Sequence, residues 1–428
     1  MSKRVLPVRR LALAGAATVI FACTGCAAAL TGDPISVDRD QANLAGKVVS
    51  DADGNVEYWV EYGPTKAYGT ESGHITASVL ANTLVSVEAP IFDLLPAATY
   101  HYRFCATDST QRGGPLCGED RRFTTQTVDC GDTLTTDVRL TGNLQCLREP
   151  GLTVGADGVD INLGGYNITQ GIFSGGGGPP AIDNGAGFAD MTLRNGSLTN
   201  VGEGVHVTGG TRNRILNLDV GAAGNGVTIE GGSFHEVRGS DLGGRSVGLL
   251  ATGSNSLLVT GNVTRGSFGS GIFVTGDLVR ILGNEANRGG DPFANPSGIT
   301  FTGSGARIAD NRVDGAWNGG IKVTGASNVV VDNLVTGARF PLMGDEPWAG
   351  DGIFVGAFSR DTVLRRNRTD DNEGDGIEVQ ATGTRLEGNA AFGNGDWGID
   401  AVAGAIDLGG STAGGNGNPG QCRNVFCQ

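Results

Sequence analysis

The sequence lacks the features that mark several classes of protein. Its 31 basic residues face 45 acidic ones, a formal net charge of −14, and basic clusters are few, which argues against nucleic-acid binding. Gly-X-Y repeats are absent despite 74 glycines, which excludes a collagen-like chain. The tandem Gly-Gly-x-Gly-x-Asp repeat that binds calcium is absent as well. Four scattered histidines and the lack of recurring Cys-x₂-Cys pairs argue against a structural zinc site.

The sequence does contain a Gly-Ile/Val-x-Val motif that returns about every 22 residues. Side chains alternate across a strand, so the second and fourth residues should point inward and the third toward solvent. One short strand cannot bury its apolar face alone, and the fixed period therefore predicts a solenoid of stacked parallel strands. No sustained 3.6-residue apolar period competes with this interpretation. The motif begins at Gly204, Gly226, Gly248, Gly271, Gly298, Gly320, Gly352, Gly376 and Gly398.

An asparagine follows a short apolar run in most of these repeats. Asparagine tolerates the left-handed conformation and bonds the backbone at turns, so stacked asparagines should link successive corners. The repeat near residue 239 carries Gly239-Ser240 instead. We therefore expect two strand-and-turn units in each repeat. The asparagines are Asn195, Asn217, Asn262, Asn284, Asn311, Asn333, Asn367 and Asn389.

Together, these two periodic features resemble the right-handed parallel β-helix repeats of pectate-lyase-like proteins. The resemblance extends over roughly residues 129 to 428 and implies an all-β, single-stranded solenoid of about 11 turns, one per repeat. It implies no single activity, because this fold hosts lyases, hydrolases, epimerases, phage tailspikes and adhesins. The Asn-Thr-Asp and His-Gly segments of polygalacturonases and the Asp-Pro-His-Asp segment of mannuronan epimerases are absent.

Residues 1–29 have the pattern of a bacterial export signal. A positively charged start precedes the apolar run Leu11 to Ala22, which is too short to span a membrane. Thr24-Gly25-Cys26 resembles the end of a lipoprotein signal and predicts lipid attachment at Cys26, with cleavage after Ala29 as the alternative. We expect an exported protein, in the bacterial cell envelope or outside the cell, that contacts a membrane only through this lipid.

Residues 30–127 form a separate module of short strands divided by turn signals, which is typical of an antiparallel β-sandwich. The segments around Trp59, Tyr100 and Phe123 resemble a bacterial fibronectin type III domain. This resemblance implies that Trp59 lies in the core, that Tyr100 is the corner tyrosine, and that the module is a spacer. Residues 128–428 then form the β-helix.

Six cysteines lie outside both the signal and the repeated motif. They allow 15 pairings, of which three local bridges are the simplest; metal binding is the alternative. Disulfides are typical of exported proteins. The local bridges would join Cys105 to Cys117, Cys130 to Cys146, and Cys422 to Cys427.

Two repeats are lengthened, by segments 288–296 and 337–348. Both segments precede the same type of strand, so they should project from the same flank of the solenoid. Insertions in solenoids often build the binding face.

The outward positions beside these insertions form a group about two strand spacings, roughly 10 Å, long. Stacked carboxylates that hold Ca²⁺, together with a nearby lysine, would suit a polyuronate lyase, and two carboxylates would suit a glycoside hydrolase. Asp before Gly at a corner is also ordinary turn chemistry, and a solvated face of charged groups is the alternative interpretation. Candidate catalytic residues are Lys322, Asp351, Asp375 and Glu378, and candidate ligand-binding residues are Trp317, Arg339, Trp348 and Phe354.

The sequence therefore predicts a surface binding or adhesion protein with a polysaccharide or cell-surface glycan as its partner. The alternative is a polysaccharide lyase or a related carbohydrate-active enzyme that acts on acidic polysaccharide, with Ca²⁺ as a candidate cofactor. A structural envelope protein without a small ligand is a third interpretation. The identity of any metal stays open.

Overall fold

The computed structural model describes residues 26–108, 111, 114–147, 149–171, 178–265, 268–287, 297–342 and 348–428, with only the backbone of Arg265 and Asn287. Within these residues the chain is all-β and contains no helix. Accordingly, the described residues offer no helix that could cross a bilayer. Most of the predicted export signal, the whole of segment 288–296 and residues 343–347 of the second insertion lie outside the described residues.

The chain divides into two compact units. The first runs to Ile35 and includes Ala42–Phe92 and Ala98–Phe123. The second comprises Ser36–Gln41, Asp93–Ala97 and Thr124–Gln428.

The N-terminal strands form two sheets. One has the order β1-β2-β6, and β2 and β6 are antiparallel. The other has the order β4-β3-β7-β8, with β5 on β3 and β9 on β7. The strands are β1 (Ala27–Val37), β2 (Ala42–Ser50), β3 (Gly54–Gly63), β4 (Thr70–Glu71), β5 (Ile75–Val79), β6 (Val85–Ile91), β7 (Thr99–Asp108), β8 (Leu116–Cys117) and β9 (Arg121–Thr124).

Aromatic side chains build the interior of the first unit. Trp59 is 6% exposed, as expected for a core residue, and its ring stacks on His74 with centroids 4.3 Å apart. Tyr102 is fully buried and its hydroxyl donates to the Gly32 carbonyl at 2.7 Å, whereas Tyr100 is only half-buried. The assignment of Tyr100 as the corner tyrosine stays a prediction.

The second unit is a right-handed parallel solenoid of about 12 turns, one more than the repeat count predicted. Each motif strand lies in a 13-stranded parallel sheet, in the predicted register: Val205 faces Val227, which faces Leu249. The strands of this sheet are β10 (Thr133–Leu134), β13 (Leu152–Val154), β16 (Pro180–Asn184), β18 (Glu203–Thr208), β20 (Val227–Glu230), β23 (Leu249–Thr252), β26 (Ile272–Thr275), β29 (Ser297–Thr302), β32 (Gly319–Thr324), β35 (Ile353–Val355), β38 (Ile377–Val379), β41 (Ile399–Ala401) and β44 (Cys422–Arg423).

The remaining strands form a 22-stranded sheet, to which most turns contribute two short strands. Most turns therefore have three strands, whereas the sequence predicted two. Strands β17 and β19 are long enough to replace such a pair. The strands are β11 (Val138–Arg139), β12 (Leu144–Gln145), β14 (Asp160–Asn162), β15 (Asn167–Thr169), β17 (Thr192–Val201), β19 (Arg214–Ala222), β21 (Glu236–Arg238), β22 (Asp241–Gly244), β24 (Leu258–Thr260), β25 (Val263–Arg265), β27 (Arg280–Leu282), β28 (Glu285–Asn287), β30 (Arg307–Ala309), β31 (Arg312–Asp314), β33 (Val329–Val331), β34 (Leu334–Thr336), β36 (Val363–Arg365), β37 (Arg368–Asp370), β39 (Arg385–Glu387), β40 (Ala390–Phe392), β42 (Ile406–Asp407) and β43 (Thr412–Gly414).

The solenoid core consists of the inward Ile, Val and Leu side chains of all turns. Both apolar positions of the motif are almost completely buried, as Ile321 (1%) and Val323 (0%) illustrate. The third position does not simply face solvent, however. Thr228, Phe354 and Asp400 are 4%, 5% and 8% exposed at that position, because each packs against the side chains of neighbouring turns and of the loops that enter the strands.

A ladder of buried asparagines links the corners between the paired strands of the 22-stranded sheet. The Nδ2 group of Asn284 donates to Asn311 Oδ1 at 3.0 Å, and Asn311 Nδ2 donates to Asn333 Oδ1 at 2.9 Å. The ladder continues through Asn367 to Asn389 and begins at Ser240, whose backbone donates to Asn262 Oδ1.

Asn195 and Asn217 do not belong to this ladder. Both adopt the left-handed conformation, with φ of 61° and 53°, one residue before the ladder position. Leu218 and Ser240 occupy that position instead, because the Leu218 backbone donates to Ser240 Oγ at 3.1 Å. These two asparagines still link successive turns, since Asn217 Nδ2 donates to Asn195 Oδ1 at 3.4 Å, but they do so one residue before the ladder position.

The three predicted local disulfides are confirmed. Cys105 bonds Cys117 in the first unit, and Cys130 bonds Cys146 near the first turn of the solenoid. The third bond closes the short loop between Cys422 and Cys427 after the last turn. All three connect residues no more than 16 positions apart.

Candidate functional site

The candidate site is a column of side chains on the outer face of the 13-stranded sheet. Lys322 on β32 faces Phe354 on β35, and Phe354 faces Glu378 on β38. The column continues to Asp400 on β41 and Arg423 on β44. Each step is one strand spacing, about 4.8 Å. The predicted outward residues therefore share one surface, and Asp400 and Arg423 extend it beyond the predicted set.

Three of the four tryptophans of the chain lie in the segments that lead into β32, β35 and β41. They are Trp317, Trp348 and Trp397. All three are half-buried. The sequence interpretation missed Trp397, although it directly precedes Gly398 of the last motif copy.

Each of these tryptophans has a cationic group over its ring. Lys322 Nζ lies 3.2 Å from the ring centroid of Trp348. The guanidinium carbon of Arg339 lies 5.2 Å from the Trp317 ring centroid, and that of Arg423 lies 5.6 Å from the Trp397 ring centroid. Such contacts hold the cation against the ring by its quadrupole. The predicted ligand-binding pair Trp317 and Arg339 is thus one contact.

Trp348, Phe354 and Lys322 form a single packed group. The rings of Trp348 and Phe354 have centroids 5.3 Å apart, and Phe354 is 5% exposed. Trp348 therefore lies over the sheet face between Lys322 and Phe354. The rest of its insertion, residues 343–347, lies outside the described residues.

Asp351 and Asp375 are corner residues that hold the backbone of the following turn. Asp351 Oδ1 accepts from the Asp375 backbone N–H at 2.8 Å, and Asp375 Oδ1 accepts from the Trp397 backbone N–H at 2.8 Å. Both side chains are buried, at 5% and 9% exposure. Both residues therefore form the corner hydrogen bonds that the sequence suggested as the alternative to a catalytic role.

Asp351 and Glu378 also form a carboxyl pair. Their side chains lie within hydrogen-bonding distance. Two ionised carboxylates can only accept, so this contact needs one proton. Burial, followed by the hydrogen bond and charge of Glu378, raises the pKa of Asp351 far above the ordinary value for Asp. Glu378 itself is half-buried and its Oε1 accepts from Gln380 Nε2 at 2.8 Å.

The pKa of Asp375 is raised as well. Burial raises its pKa to about 7, against the opposing hydrogen bond from the Trp397 backbone, and the charges of Asp400, Asp396 and Glu378 raise it further. Asp400 forms an ion pair with Arg423. At neutral pH Asp351 therefore keeps its proton, Asp375 is about half protonated, and Asp400 lies in its ion pair with Arg423.

Two buried polar atoms without partners belong to segments that adjoin the carboxyl pair. Within the described part of the chain, Trp348 Nε1 and Asn318 Oδ1 have no hydrogen-bond partner, and Asp351 Oδ2 has none apart from the Glu378 carboxyl group. They belong to adjoining segments, because a Cβ on Gly319 would lie 3.3 Å from the Trp348 carbonyl and 3.5 Å from the Asp351 carbonyl. Buried polar groups are normally paired, so a ligand that supplied hydrogen bonds at this corner would gain binding energy from them.

Grouped metal ligands occur elsewhere in the described chain. Glu61, Cys105 and Cys117 have ligand atoms within 4.8 Å of one another, but both cysteines are in a disulfide bond and bind no metal as thiolates. The carboxyl groups of the solenoid column do not form a set of three within that distance in the described residues. The suggested Ca²⁺ site stays a prediction.

A family model described as the right-handed β-helix region matches residues 181–340 and 294–412. The two matches together extend from 181 to 412, more than half of the 428 residues. No curated protein matches the chain at a significant level.

Solved structures with a similar fold include three proteins of low sequence identity. The periplasmic alginate epimerase AlgG is 15% identical, with a TM-score of 0.44 and coverage of 70% of this chain and 76% of its own. The catalytic unit of a GH87 alpha-1,3-glucanase from Streptomyces thermodiastaticus strain HF3-3 is 12% identical, with a TM-score of 0.38 and coverage of 95% and 99%. The alginate lyase from Paenibacillus sp. str. FPU-7 is 14% identical, with a TM-score of 0.34 and coverage of 69% and 99%. Similarity at this level concerns the fold and gives no information on substrate or reaction.

Proposed function

Because the chain belongs to the right-handed β-helix family, we propose that it is an exported binding protein whose solenoid holds a glycan along the column from Lys322 to Arg423. The observation that carries the proposal is that three tryptophans lie in segments leading into the strands of this column, two of them with a column side chain, Lys322 or Arg423, against the ring. Fold membership alone would support no ligand, since function lies in the site and not in the fold.

These tryptophans suit an extended carbohydrate for physical reasons. The C–H face of a sugar ring packs on an aromatic face, and the hydroxyl groups at its rim need donors and acceptors nearby. The tryptophans provide the faces, while Glu378, Arg339 and Arg423 provide half-buried or exposed polar groups. Tryptophan is also among the residues that most often carry binding energy at interfaces.

The alternative is a polysaccharide lyase or hydrolase that uses Lys322, Asp351, Asp375 and Glu378. The raised pKa of Asp351 favours it, since general acids have this property. Two observations weigh against it. Asp351 is only 5% exposed, and its contact with Glu378 is shorter than the roughly 5 Å or more that separates the carboxyl groups of glycosidases. Binding without cleavage therefore accounts for the geometry better.

Export and anchoring complete the proposal. Lipid attachment at Cys26 would follow cleavage before this residue, which keeps the buried residues Ala27, Ala28 and Ala29 in strand β1. Cleavage after Ala29 would remove them. The Cys26 sulfur takes part in a disulfide bond and must be free to carry a lipid, so mass spectrometry of the membrane-extracted protein decides between the two. The first unit would then act as a fibronectin type III-like spacer.

The test compares glycan binding by the full-length chain and by aromatic variants. Trp317→Ala and Trp397→Ala should each weaken binding about tenfold or more, which corresponds to the loss of one well-packed contact. Phe358→Ala is the matched control, because Phe358 is 94% exposed and lies in the turn between β35 and β36. Equal affinities for all four proteins would refute the proposed surface.

The same samples test the enzyme alternative. Absorbance of unsaturated uronate products and new reducing ends are followed with and without Ca²⁺, beside a Lys322→Ala variant. Turnover that this variant loses while the fold stays intact would establish the enzyme and displace the binding proposal.

A further inference from the structure

A second cluster of reactive side chains lies on the outer face of the 13-stranded sheet, five strand steps from Lys322. Asp183 on β16 faces His206 on β18, and Thr208 follows two residues later on the same face. His206 Nδ1 lies 3.1 Å from Asp183 Oδ1, and Thr208 Oγ1 lies 3.2 Å from His206 Nε2. We infer that these three side chains hydrolyse carboxylic esters, with Thr208 as the nucleophile, an activity that is independent of glycan binding by the column.

The hydrogen bonds of the neutral imidazole assign the position of its proton. A carboxylate only accepts, so His206 Nδ1 donates to Asp183, and Nε2 accepts from the Thr208 hydroxyl. The Gly185 backbone N–H donates to the same Asp183 oxygen at 2.9 Å and so holds the carboxylate in place. The order of acid, base and hydroxyl is the one that activates nucleophiles in hydrolases of unrelated folds.

A second carboxylate stands on the other side of the imidazole. Glu230 faces Thr208 on the next strand, and its Oε2 lies 4.0 Å from His206 Nε2. The two carboxylates favour the positive charge that His206 gains when it takes the Thr208 proton. The side chains of His206, Asp183 and Glu230 are 27%, 34% and 55% exposed. Water can reach all three, so their contacts add little to folding stability, and the fold alone does not account for them.

Three glycines on successive turns keep the surface beside the hydroxyl clear. Gly209, Gly231 and Gly253 have φ between 65° and 73°, and a Cβ on any of them would meet no atom within 4 Å beyond its chain neighbours. This backbone conformation does not by itself require glycine, because Phe234 adopts φ of 59° in the same solenoid. An ester can therefore approach Thr208 over bare backbone.

The reaction consists of two acyl transfers. Thr208 Oγ attacks the carbonyl carbon of the ester, and its proton passes to His206 Nε2. The bond from that carbon to the alkoxy oxygen then breaks, and the alkoxy oxygen leaves with the proton from His206. Water attacks the acyl-threonine in the same way, which releases the carboxylic acid and restores the Thr208 hydroxyl.

The experiment follows release of p-nitrophenol from p-nitrophenyl acetate by the full-length chain, with mass spectrometry of the peptide that contains Thr208 after acid quenching. We expect a burst of about one p-nitrophenol per chain and an acetyl group on Thr208 during turnover. Thr208→Val, which keeps the shape and removes the hydroxyl, should lower the rate at least about 100-fold, and His206→Gln should do the same.

Asp183 is a positioning residue, since it acts through the imidazole. Asp183→Asn should lower kcat at least about tenfold and leave KM nearly unchanged, because an asparagine no longer holds the productive tautomer. Its urea midpoint should stay close to that of wild type. A purely structural role for Asp183 predicts the reverse, a lower urea midpoint with an unchanged kcat, and that result would contradict the assigned role.

His74→Gln is the matched control for reactivity of an exposed imidazole. His74 also lies between two carboxylates, with Glu57 at 3.3 Å and Glu71 at 3.5 Å, and its replacement should leave the rate unchanged. A rate that falls in His206→Gln but not in Thr208→Val would show that the imidazole itself is the nucleophile, which overturns the inference. Equal rates in wild type and all variants, whether above the buffer rate or at it, overturn it as well.

Discussion

Replacing Asn311 by alanine should destabilise the solenoid by about 4 kcal/mol. The side chain takes part in four hydrogen bonds, to the Ile281 carbonyl, to Asn333 Oδ1, and from the backbone and side-chain N–H groups of Asn284, all between 2.9 and 3.0 Å. Asn311 is 1% exposed, so water cannot replace these partners. At about 1 kcal/mol for each bond, the loss amounts to roughly 3–5 kcal/mol.

The assay is urea unfolding followed by far-UV circular dichroism, combined with amide hydrogen exchange at Asn284. Exchange matters because the Asn284 backbone N–H loses its acceptor in Asn311→Ala, and its protection should fall more than that of distant turns. Asn217→Gly is the matched control. Asn217 is exposed and has φ of 53°, which glycine adopts freely, so stability should change by less than about 0.5 kcal/mol. A loss below about 1 kcal/mol for Asn311→Ala, or equal losses for both variants, would refute the ladder argument.

Three further expectations concern other parts of the solenoid. The pKa of Asp375 is raised to about 7 in the folded protein. The protonated side chain therefore stabilises the fold fully below about pH 4, and this stabilisation is lost as the pH rises to about 7. The difference in urea midpoint between wild type and Asp375→Asn should change over the same pH range. Removing the Cys130–Cys146 bond by double serine substitution should cost about 3 kcal/mol, for a separation of 16 residues, in the same unfolding assay. Gly320→Ala should destabilise by about 1–3 kcal/mol, because its Cβ would lie 2.1 Å from Val335 Cγ1, and normal thermal stability would contradict this contact.

The motif strand could be predicted because its buried apolar residues recur with a fixed period. Residues such as Ile321 and Val323 alternate with a variable position, and only a stack of turns buries them all. The same reasoning placed Lys322, Phe354 and Glu378 in one column, which the strand register bears out. Their roles toward a ligand stay predictions.

The paired strands of the 22-stranded sheet were harder to find. Strands of three residues such as Arg280–Leu282 and Glu285–Asn287 are separated by only two residues and are too short to display alternation. The order of residues at this corner still held a signal. Gly283-Asn284 places a left-handed glycine before the ladder asparagine, whereas Asn195-Gly196 reverses the order and so belongs one position earlier.

The surroundings of the column could not be read from the sequence. Burial of Phe354 and Asp400 at the supposedly exposed third position depends on contacts from other turns and from the entering segments. The repeat period of the sequence does not predict these contacts, because they involve residues outside the repeated motif positions. Trp397 and Asp400 were visible in the last motif copy, but nothing local distinguishes a tryptophan on a ligand surface from one that covers the end of a sheet.

The identity of the buried corner acids provides the strongest argument that the column has a role beyond the fold. Asp351 and Asp375 each give one oxygen to the backbone of the next turn, and asparagine does the same elsewhere, as when Asn372 accepts from the Ala338 backbone at 2.9 Å. An asparagine would supply this acceptor without the cost of burying an ionisable group. The fold therefore explains an oxygen at these corners but not a carboxyl group. Both acids lie beside Glu378, on the part of the column where the proposed glycan would bind.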